Sequence, residues 1–158
     1  MPLNDRLECF LKERGARYEI LSHPEAFTAP EIAAAAHVPG REVAKVVVVR
    51  DEGGGHLMAV LPALCRLDLV ALARAAGKKE VRLAPEADVE QLFPDCEAGA
   101  MPPFGNLYGL PVYADRHFPR SEVIFFQAGN HREIVRMRYE EFEELVKPSA
   151  GELCLRAP

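Results

Sequence analysis

Residues 42–50 read Glu-Val-Ala-Lys-Val-Val-Val-Val-Arg, and this stretch decides the fold. Its β-branched residues pack well on a pleated surface, so the stretch predicts a strand. Because side chains alternate faces along a strand, Lys45 shares one face with Val43, Val47 and Val49. An ammonium group on an apolar face is costly unless it reaches water, a carboxylate or a ligand. Lys45 is therefore either a lysine that extends to solvent from the start of the strand or part of a functional site.

Helix and strand patterns lie on both sides of this strand without strict alternation. The predicted helices cover residues 4–14, 28–37, 66–77, 85–93 and 139–146. The other predicted strands cover residues 18–21, 56–61, 80–83, 110–114, 122–126 and 133–137. Gly53, Gly54 and Gly55 predict the tip of a hairpin between the second and third strands. The pattern predicts one α/β (mixed α+β) domain over residues 1–158, built on a mixed, curved sheet.

The charge balance restricts the class of partner. The 158 residues include 19 Lys and Arg against 24 Asp and Glu, a formal charge of −5. This argues against a general binder of DNA or RNA, although a local patch could still hold a short nucleotide end. The sequence has no apolar run near the length of a membrane span and no signal-peptide character at its start. We expect a cytoplasmic protein without a membrane partner.

The four cysteines are Cys9, Cys65, Cys96 and Cys154. None of them has C-x-x-C spacing, so we expect no zinc or other metal site. The sequence predicts no disulfide framework either, and Cys9 and Cys154 are expected to be buried core thiols. The fingerprints of dinucleotide and P-loop sites are missing as well, so no cofactor is expected.

Five short segments form an ordered set along the chain. They are His23-Pro24 followed by Thr28, the Lys45 strand, the helix start Arg66-Leu67-Asp68, the loop Gly99-Ala100-Met101-Pro102-Pro103-Phe104-Gly105, and Ala128-Gly129-Asn130-His131. This set resembles the YbaK/aminoacyl-tRNA-synthetase-associated domain family, the free-standing relatives of the prolyl-tRNA synthetase editing domain. The resemblance implies a partly barrel-like mixed sheet surrounded by helices. It also implies hydrolysis of mischarged aminoacyl-tRNA in trans, without a metal or a covalent nucleophile.

The resemblance also assigns roles to residues of this chain. It makes Lys45 the main catalytic residue and Thr28 the start of a helix that selects the amino-acid side chain. The remaining substrate-binding residues that it implies are Gly99, Ala100, Met101, Pro103, Phe104, Gly105, Ala128, Gly129, Asn130 and His131. Many relatives have Ser or Thr before the loop proline, where this chain has Met101-Pro102-Pro103. This stretch looks closer to the subgroup of the family that acts on Ala, Ser or Thr than to the cysteine-specific type. The substrate that the resemblance implies carries a small amino acid: Ala, Ser, Thr or Cys.

Hydrolysis of an aminoacyl ester builds negative charge on the carbonyl oxygen, and this charge needs hydrogen-bond donors. Backbone N–H groups of Gly99 and Ala100 suit the task because small side chains leave them open to a ligand. Lys45 could hold the carbonyl, hold the terminal phosphate, or act as a base with a lowered pKa.

Each of three other side chains has two possible roles. His131 either bonds the adenosine or aminoacyl group, or serves as a loop histidine that bonds a neighbouring carbonyl. Phe104 and Tyr108 either stack on the terminal adenine or pack in the core.

Three functions fit these residues. The first is a trans-editing deacylase whose partners are the 3′-terminal adenosine end of aminoacyl-tRNA and, in addition, an aminoacyl-tRNA synthetase. The second is a non-catalytic module that binds an aminoacyl-adenosine end or a synthetase. The third is an esterase for small molecules. Lys45 favours an enzyme, because a pure binding module does not need to bury an ammonium group.

Overall fold

A computed structural model describes residues 4–118 and 122–155, so the first three residues of the N-terminal segment considered above lie outside it. Its α-helices are α1 (Asp5–Glu13), α2 (Ala29–Ala36), α3 (Leu69–Ala76), α4 (Glu86–Leu92) and α5 (Tyr139–Val146). Short 3-10 helices cover Gly40–Glu42 and Gly105–Tyr108. None of the helices in the described ranges is long and apolar enough to cross a membrane.

The strands form two sheets. They are β1 (Glu19–Ser22), β2 (Ala44–Asp51), β3 (His56–Pro62), β4 (Val81–Leu83), β5 (Val112–Asp115), β6 (Val123–Gln127), β7 (Glu133–Arg138) and β8 (Ser149–Gly151). The smaller sheet has the order β1-β7-β6 and is antiparallel. The larger sheet has the order β4-β2-β3-β5-β8, and β5 pairs in parallel with both of its neighbours. The predicted mixed α/β fold is confirmed.

The two sheets meet immediately before the lysine. Val43 forms an isolated parallel bridge with Phe125 of β6, and β2 begins at the next residue. Lys45 then pairs with Leu61 in the predicted hairpin. Because β2 touches both sheets at this point, the lysine lies where the ends of β2 and β6 come together.

The hairpin tip follows from the aspartate and glycines in its sequence. The Asp51 carboxylate accepts hydrogen bonds from the N–H groups of Gly53 (2.8 Å) and Gly55 (2.9 Å). Gly54 has a φ of +85°, a conformation that glycine adopts without strain. These contacts and the antiparallel pairing of β2 with β3 confirm the predicted hairpin.

The starts of α2 and α3 are fixed by capping side chains. Thr28 and Glu31 form the two hydrogen bonds of a capping box at the start of α2 (3.1 and 3.2 Å). Asp68 accepts from the Ala71 N–H at the start of α3 (3.0 Å). The first cap fixes Thr28 at the start of α2, and the second fixes the chain that follows Cys65.

The largest core lies between the sheets and helices α1 and α5. Phe104 lies at its centre, fully buried, and its ring is 5.3–6.1 Å from the rings of Phe10, Phe126 and Phe142. The other face of β2 packs against α3 through Val47 and Val49. The valine run therefore serves two cores, as its alternation requires.

The C-terminal segment differs from the prediction. Strand β8 was not expected, and Cys154, expected as a free core thiol, forms a disulfide with Cys65. The Cα atoms of the two cysteines are 5.4 Å apart, although 89 positions separate them in the sequence. Local patterns cannot show such a pair, because the approach depends on the parallel pairing of β8 with β5.

Cys9 also differs from the prediction, because it is exposed. Its neighbours Leu7 and Leu11 occupy the buried face of α1. Cys9 is two positions from each of them, which places it on the opposite face of the helix.

We expect Cys154→Ser to lower the free energy of unfolding by about 2–4 kcal/mol under oxidising conditions, because the unfolded chain loses a long-range cross-link. Chemical denaturation with and without a thiol reductant measures this difference. The matched control is Cys9→Ser, which removes an exposed free thiol. Equal stability of Cys154→Ser and the unmodified chain under oxidising conditions contradicts a structural role for the disulfide.

Candidate active site

A cleft of about 450 Å³ opens at the N-terminal end of β2. Its described lining comes from the start of α2, the start of β2, the residue after β3, the loop before β5 and the last residue of β6. The lining residues are Phe27, Thr28, Ala29, Pro30, Lys45, Val46, Ala63, Gly99 and Gln127. Three of the predicted site residues, Lys45, Thr28 and Gly99, therefore share one cavity.

Lys45 is partly buried, and its head group has a defined partner. The Nζ group donates a hydrogen bond to the backbone carbonyl of Cys65. Burial lowers the pKa of the Lys45 ammonium below the ordinary lysine value, and the nearby Arg66 guanidinium lowers this pKa further. The Lys45 head group is therefore bonded to the protein at the cleft.

The carbonyl that accepts this hydrogen bond is itself held in place. The Cys65 N–H donates to the Pro62 carbonyl (3.0 Å), which makes a tight turn after β3. The Cys65 side chain is tied to Cys154. The backbone on the other side of Arg66 is tied down too, because Asp68 N–H donates to the Leu153 carbonyl (2.7 Å). The position of the ammonium thus depends on the C-terminal segment.

The loop at Gly99 presents one open backbone donor. Gly99 has a φ of +81° and is exposed, and its N–H has no hydrogen-bond partner within residues 4–118 and 122–155. Ala100 behaves differently from the prediction. It is fully buried, and its N–H donates to the Glu97 carbonyl (3.0 Å) in a turn. Of the two predicted oxyanion donors, only Gly99 is open to a ligand.

The Ala128–His131 segment is hydrogen-bonded to this loop. The Gly129 N–H donates to the Ala100 carbonyl and the Gly129 carbonyl accepts from the Glu97 N–H, both at 2.8 Å. Ala128 is buried, and its carbonyl accepts from the Asn4 N–H (3.0 Å). A Cβ at Gly129 would lie 2.9 Å from the Asn4 Cβ, so only glycine fits there.

Asn130 closes the turn into β7. Its side-chain oxygen accepts from the N–H groups of Arg132 and Glu133, both at 2.9 Å. This is the local pattern that favours asparagine at turns. Asn130 therefore acts on the shape of the segment rather than on the cleft.

His131 connects the loop to the aromatic side of the cleft. Its Nε2 lies 2.7 Å from the Ala98 carbonyl, so that nitrogen carries the proton and donates. Its backbone N–H donates to the Glu97 carboxylate (2.9 Å). The ring centroid lies 4.7 Å from that of Phe27. The loop-histidine reading therefore describes its contacts, and its Nδ1 atom is buried without a partner among the described residues.

The rest of the glycine loop turns away from the cleft. Met101 lines a neighbouring, largely apolar pocket of about 470 Å³, which shares Gly99 with the first cleft. Pro103 is buried, and Phe104 occupies the core. A Cβ at Gly105 would lie 2.7 Å from Val112. These residues anchor the loop through packing and do not contact the cleft. The sequence did not reveal this difference, because binding motifs and core motifs look alike in sequence.

Tyr108 is also engaged within the protein. Its hydroxyl donates to the Asp95 carboxylate (3.1 Å), and its ring packs against Phe93 with centroids 4.5 Å apart. These contacts favour packing over stacking on an adenine.

Two residues of the cleft were missed by the sequence reasoning. Phe27 is 57% exposed, an unusual state for phenylalanine, and stands between the His23-Pro24 segment and the cap of α2. Gln127 is the polar last residue of the apolar strand Val123–Gln127. A polar residue that follows an apolar strand directly before a glycine turn is the signal that could have identified Gln127.

One group of side chains has the donor types of a metal site. The sulfurs of Cys65 and Cys154 and a carboxylate oxygen of Asp115 lie within 4.8 Å of one another. While the disulfide is formed, its sulfurs are not thiolates and cannot ligate a metal. Asp115 accepts from Leu153 N–H (2.8 Å) and from the backbone and ring of His117 (3.0 and 2.9 Å), so its carboxylate anchors the C-terminal segment.

Comparison with known proteins gives consistent results. Residues 23–145 match the family model described as "Aminoacyl-tRNA editing domain". The "Multifunctional Ser/Thr-tRNA deacylase ProXp-y" of Escherichia coli strain K12 is 28% identical over 149 residues, which cover 92% of this chain and 89% of that protein.

Solved structures agree with the fold. One described as "a putative trans-editing enzyme for prolyl tRNA synthetase" has a TM-score of 0.85 at 25% identity and covers 99% of both chains. That of "hypothetical protein APE2540" has a TM-score of 0.86 at 24% identity, over 96% of this chain and 100% of that chain. The second likeness concerns the fold alone.

The contrast between Phe104 and Phe27 is testable. We expect Phe104→Ala to lower the free energy of unfolding by about 3–5 kcal/mol, because it leaves a cavity in the core. The matched variant Phe27→Ala removes an exposed ring and should change stability by less than about 0.5 kcal/mol. Chemical denaturation measures both values. A Phe104→Ala variant as stable as the unmodified chain contradicts its placement in the core.

Proposed function

The chain belongs to the aminoacyl-tRNA editing domain family, as its motifs predict, and on this premise we propose that it hydrolyses mischarged aminoacyl-tRNA carrying a small amino acid. The observation that carries the proposal is Lys45, whose Nζ is held at the Cys65 carbonyl and which lines one cleft together with Gly99, a residue whose N–H has no partner among the described residues. A cation and a backbone donor in one cavity suit an oxygen that gains negative charge.

The proposed reaction is the attack of water on the ester carbonyl carbon. The carbonyl oxygen becomes an oxyanion, and the Lys45 ammonium and the Gly99 N–H donate to it. The bond from the carbonyl carbon to the ribose oxygen then breaks, and the ribose oxygen takes up a proton as the amino acid leaves. The described lining offers no carboxylate or imidazole as a base. The adjacent hydroxyl of the substrate's ribose therefore assists deprotonation of the water.

We assign Lys45 the role of a cation rather than a base. Its Nζ donates to the Cys65 carbonyl, a contact that an ammonium and a neutral amine can both make. The assignment therefore rests on the substrate, whose own ribose hydroxyl can assist deprotonation of the water. An ammonium group has three donors, and two remain for the substrate. The terminal phosphate is the other acceptor that these donors could serve. We favour the ester carbonyl because Gly99, whose N–H is the second donor that the proposed reaction needs, lines the same cleft.

The size of the lining residues supports a small amino acid. Ala29, Pro30, Ala63 and Gly99 carry short side chains, and the cleft of about 450 Å³ also has to admit the ribose. The relative from Escherichia coli is named as a Ser/Thr-tRNA deacylase, so serine and threonine are the first charges to test. The exposed Phe27 ring offers a stacking surface for the terminal adenine.

The binding module and the small-molecule esterase remain the competing functions. A module would bind the aminoacyl end tightly and release no amino acid. An esterase would not prefer tRNA over simple aminoacyl esters. Synthetase binding is compatible with the deacylase and is tested separately by co-purification.

We expect Lys45→Ala to reduce deacylation by at least about 10²–10³-fold, the usual effect of removing an oxyanion donor. Lys45→Arg should also fail, because a planar guanidinium does not reproduce a compact ammonium. The measurement is release of labelled amino acid from tRNAs for proline, alanine and threonine that carry Ala, Ser, Thr, Cys or Pro. Lys79→Ala, which removes an exposed lysine, is the matched control. Circular dichroism tests whether each variant is folded.

Near-normal turnover by Lys45→Ala on every charged tRNA contradicts the central role of the lysine. Tight binding without release by the unmodified chain favours the module instead.

The pH dependence distinguishes a cation from a base. The lowered pKa of Lys45 means that a cationic lysine is active at low pH and loses activity as the pH rises, starting below the pH of an ordinary lysine. Arg66→Gln removes one cause of the lowering and should move this loss to higher pH. The profile of kcat/KM after subtraction of enzyme-free hydrolysis measures the shift. Arg74→Gln, an exposed change in α3, is the control.

Titration of the substrate's own amine affects the unmodified chain, Arg66→Gln and Arg74→Gln equally. Only the difference between their pH profiles is therefore used. Activity that rises through the same pH range, and whose rise moves to higher pH in Arg66→Gln, indicates that Lys45 is a base.

A further inference from the structure

Gln127 has an unusual environment for an amide side chain. It ends β6, is only 9% exposed and lines the Lys45 cleft. Its Nε2 donates to the Gly99 carbonyl at 3.4 Å. Its Oε1 atom is buried and has no hydrogen-bond partner among the described residues. Buried polar atoms are nearly always paired, so an unpaired acceptor at a cleft needs an explanation.

The orientation of this amide follows from its neighbour. If the amide were turned over, Oε1 would face the Gly99 carbonyl, and two acceptors would oppose each other. The observed orientation places the donor on that carbonyl. The free atom is therefore an acceptor, and it needs a donor that the described part of the chain does not supply.

We propose that Gln127 Oε1 accepts a hydrogen bond from the α-ammonium group of the aminoacyl ester, which makes the free amine a condition for good turnover. This inference rests on the proposed function. In an α-amino ester the nitrogen and the carbonyl oxygen are joined through only two carbon atoms. The Gln127 Oε1 and the Gly99 N–H belong to two side-by-side residues that are linked by a hydrogen bond. One residue pair can thus hold both ends of the same small group.

An ammonium group is the donor that fits this acceptor best. Charge-assisted hydrogen bonds are stronger than neutral ones, and an ammonium has no need for a hydrogen bond in return. A hydroxyl group of the ribose is a weaker candidate because it is neutral.

The amide is also better suited to this place than a carboxylate. Lys45 is the only charged residue in the described lining. A carboxylate in the same cleft would attract the lysine ammonium and compete with the ester oxygen for it. A neutral acceptor binds the substrate amine and leaves Lys45 to the carbonyl.

The proposal defines a class of substrate. Esters with a free α-amine are bound, whereas N-acylated esters, including peptidyl-tRNA, lose the positive charge of this donor and add bulk near Gln127. The site would then act on aminoacyl-tRNA and spare the growing peptide.

The experiment compares seryl-tRNA with N-acetylseryl-tRNA on the unmodified chain and on Gln127→Met, which has similar length but no strong acceptor. Each rate is divided by the enzyme-free rate, because acetylation also changes the intrinsic lability of the ester. We expect the unmodified chain to prefer the free amine by about tenfold to a hundredfold, the effect of one hydrogen bond to a charged group. Gln127→Met should lose most of this preference through slower turnover of seryl-tRNA alone.

Several results overturn the inference. They are equal normalised rates of the two esters on the unmodified chain, and equal losses on both esters in Gln127→Met. Thermal unfolding tests whether the variant is folded, since it loses the hydrogen bond to the Gly99 carbonyl together with the unpaired acceptor.

Two further measurements keep the inference testable. If Gln127→Met does not fold, the α-hydroxy analogue of the alanyl ester is compared with alanyl-tRNA on the unmodified chain, where a similar rate overturns the inference. If the unmodified chain hydrolyses none of the charged tRNAs, the proposed function fails. Binding of stable 3′-aminoacylamino-adenosine amides then decides: tighter binding of the free amine than of its N-acetyl form supports the role of Gln127, and equal binding refutes it.

Discussion

The site depends on one hydrogen bond, from the Lys45 ammonium to the Cys65 carbonyl. Valines surround the lysine along β2, so its burial would be costly without a fixed acceptor. The carbonyl supplies that acceptor without cancelling the charge, as a carboxylate would. The cation is therefore positioned and yet remains available for a negative oxygen.

This arrangement connects the C-terminal segment to the cleft. Cys65 is joined to Cys154, and the backbone beside it pairs with residues 153–155 through hydrogen bonds to Arg66 and Asp68. Asp115 then ties Leu153 to the end of β5. A segment remote from Lys45 in sequence thus fixes the carbonyl on which the lysine rests.

The Gly99 side of the cleft is likewise held by contacts with a segment that is distant in sequence. The Gly99 loop is held through backbone hydrogen bonds to Gly129 and through the ring of His131. These contacts use up the neighbouring N–H of Ala100 in a turn and leave that of Gly99 open. The motif that looks like a row of binding residues is therefore mostly a support for one exposed donor.

Local patterns were enough to predict the helices, the hairpin and the strand that carries Lys45, because periodicity, caps and glycine turns act over a few residues. They could not separate binding from packing. Phe104 and Phe27 are the same residue type, and only the tertiary fold buries the first and exposes the second. The disulfide and Gln127 were missed for a related reason: each depends on a partner far away in the sequence. The cleft combines one cation, one open N–H and one unpaired acceptor, and these three groups match the oxyanion and the amine of a single small ester. No carboxylate neutralises the lysine within the described lining. In the proposed reaction the substrate itself therefore supplies the negative charge, and it does so most strongly in the transition state.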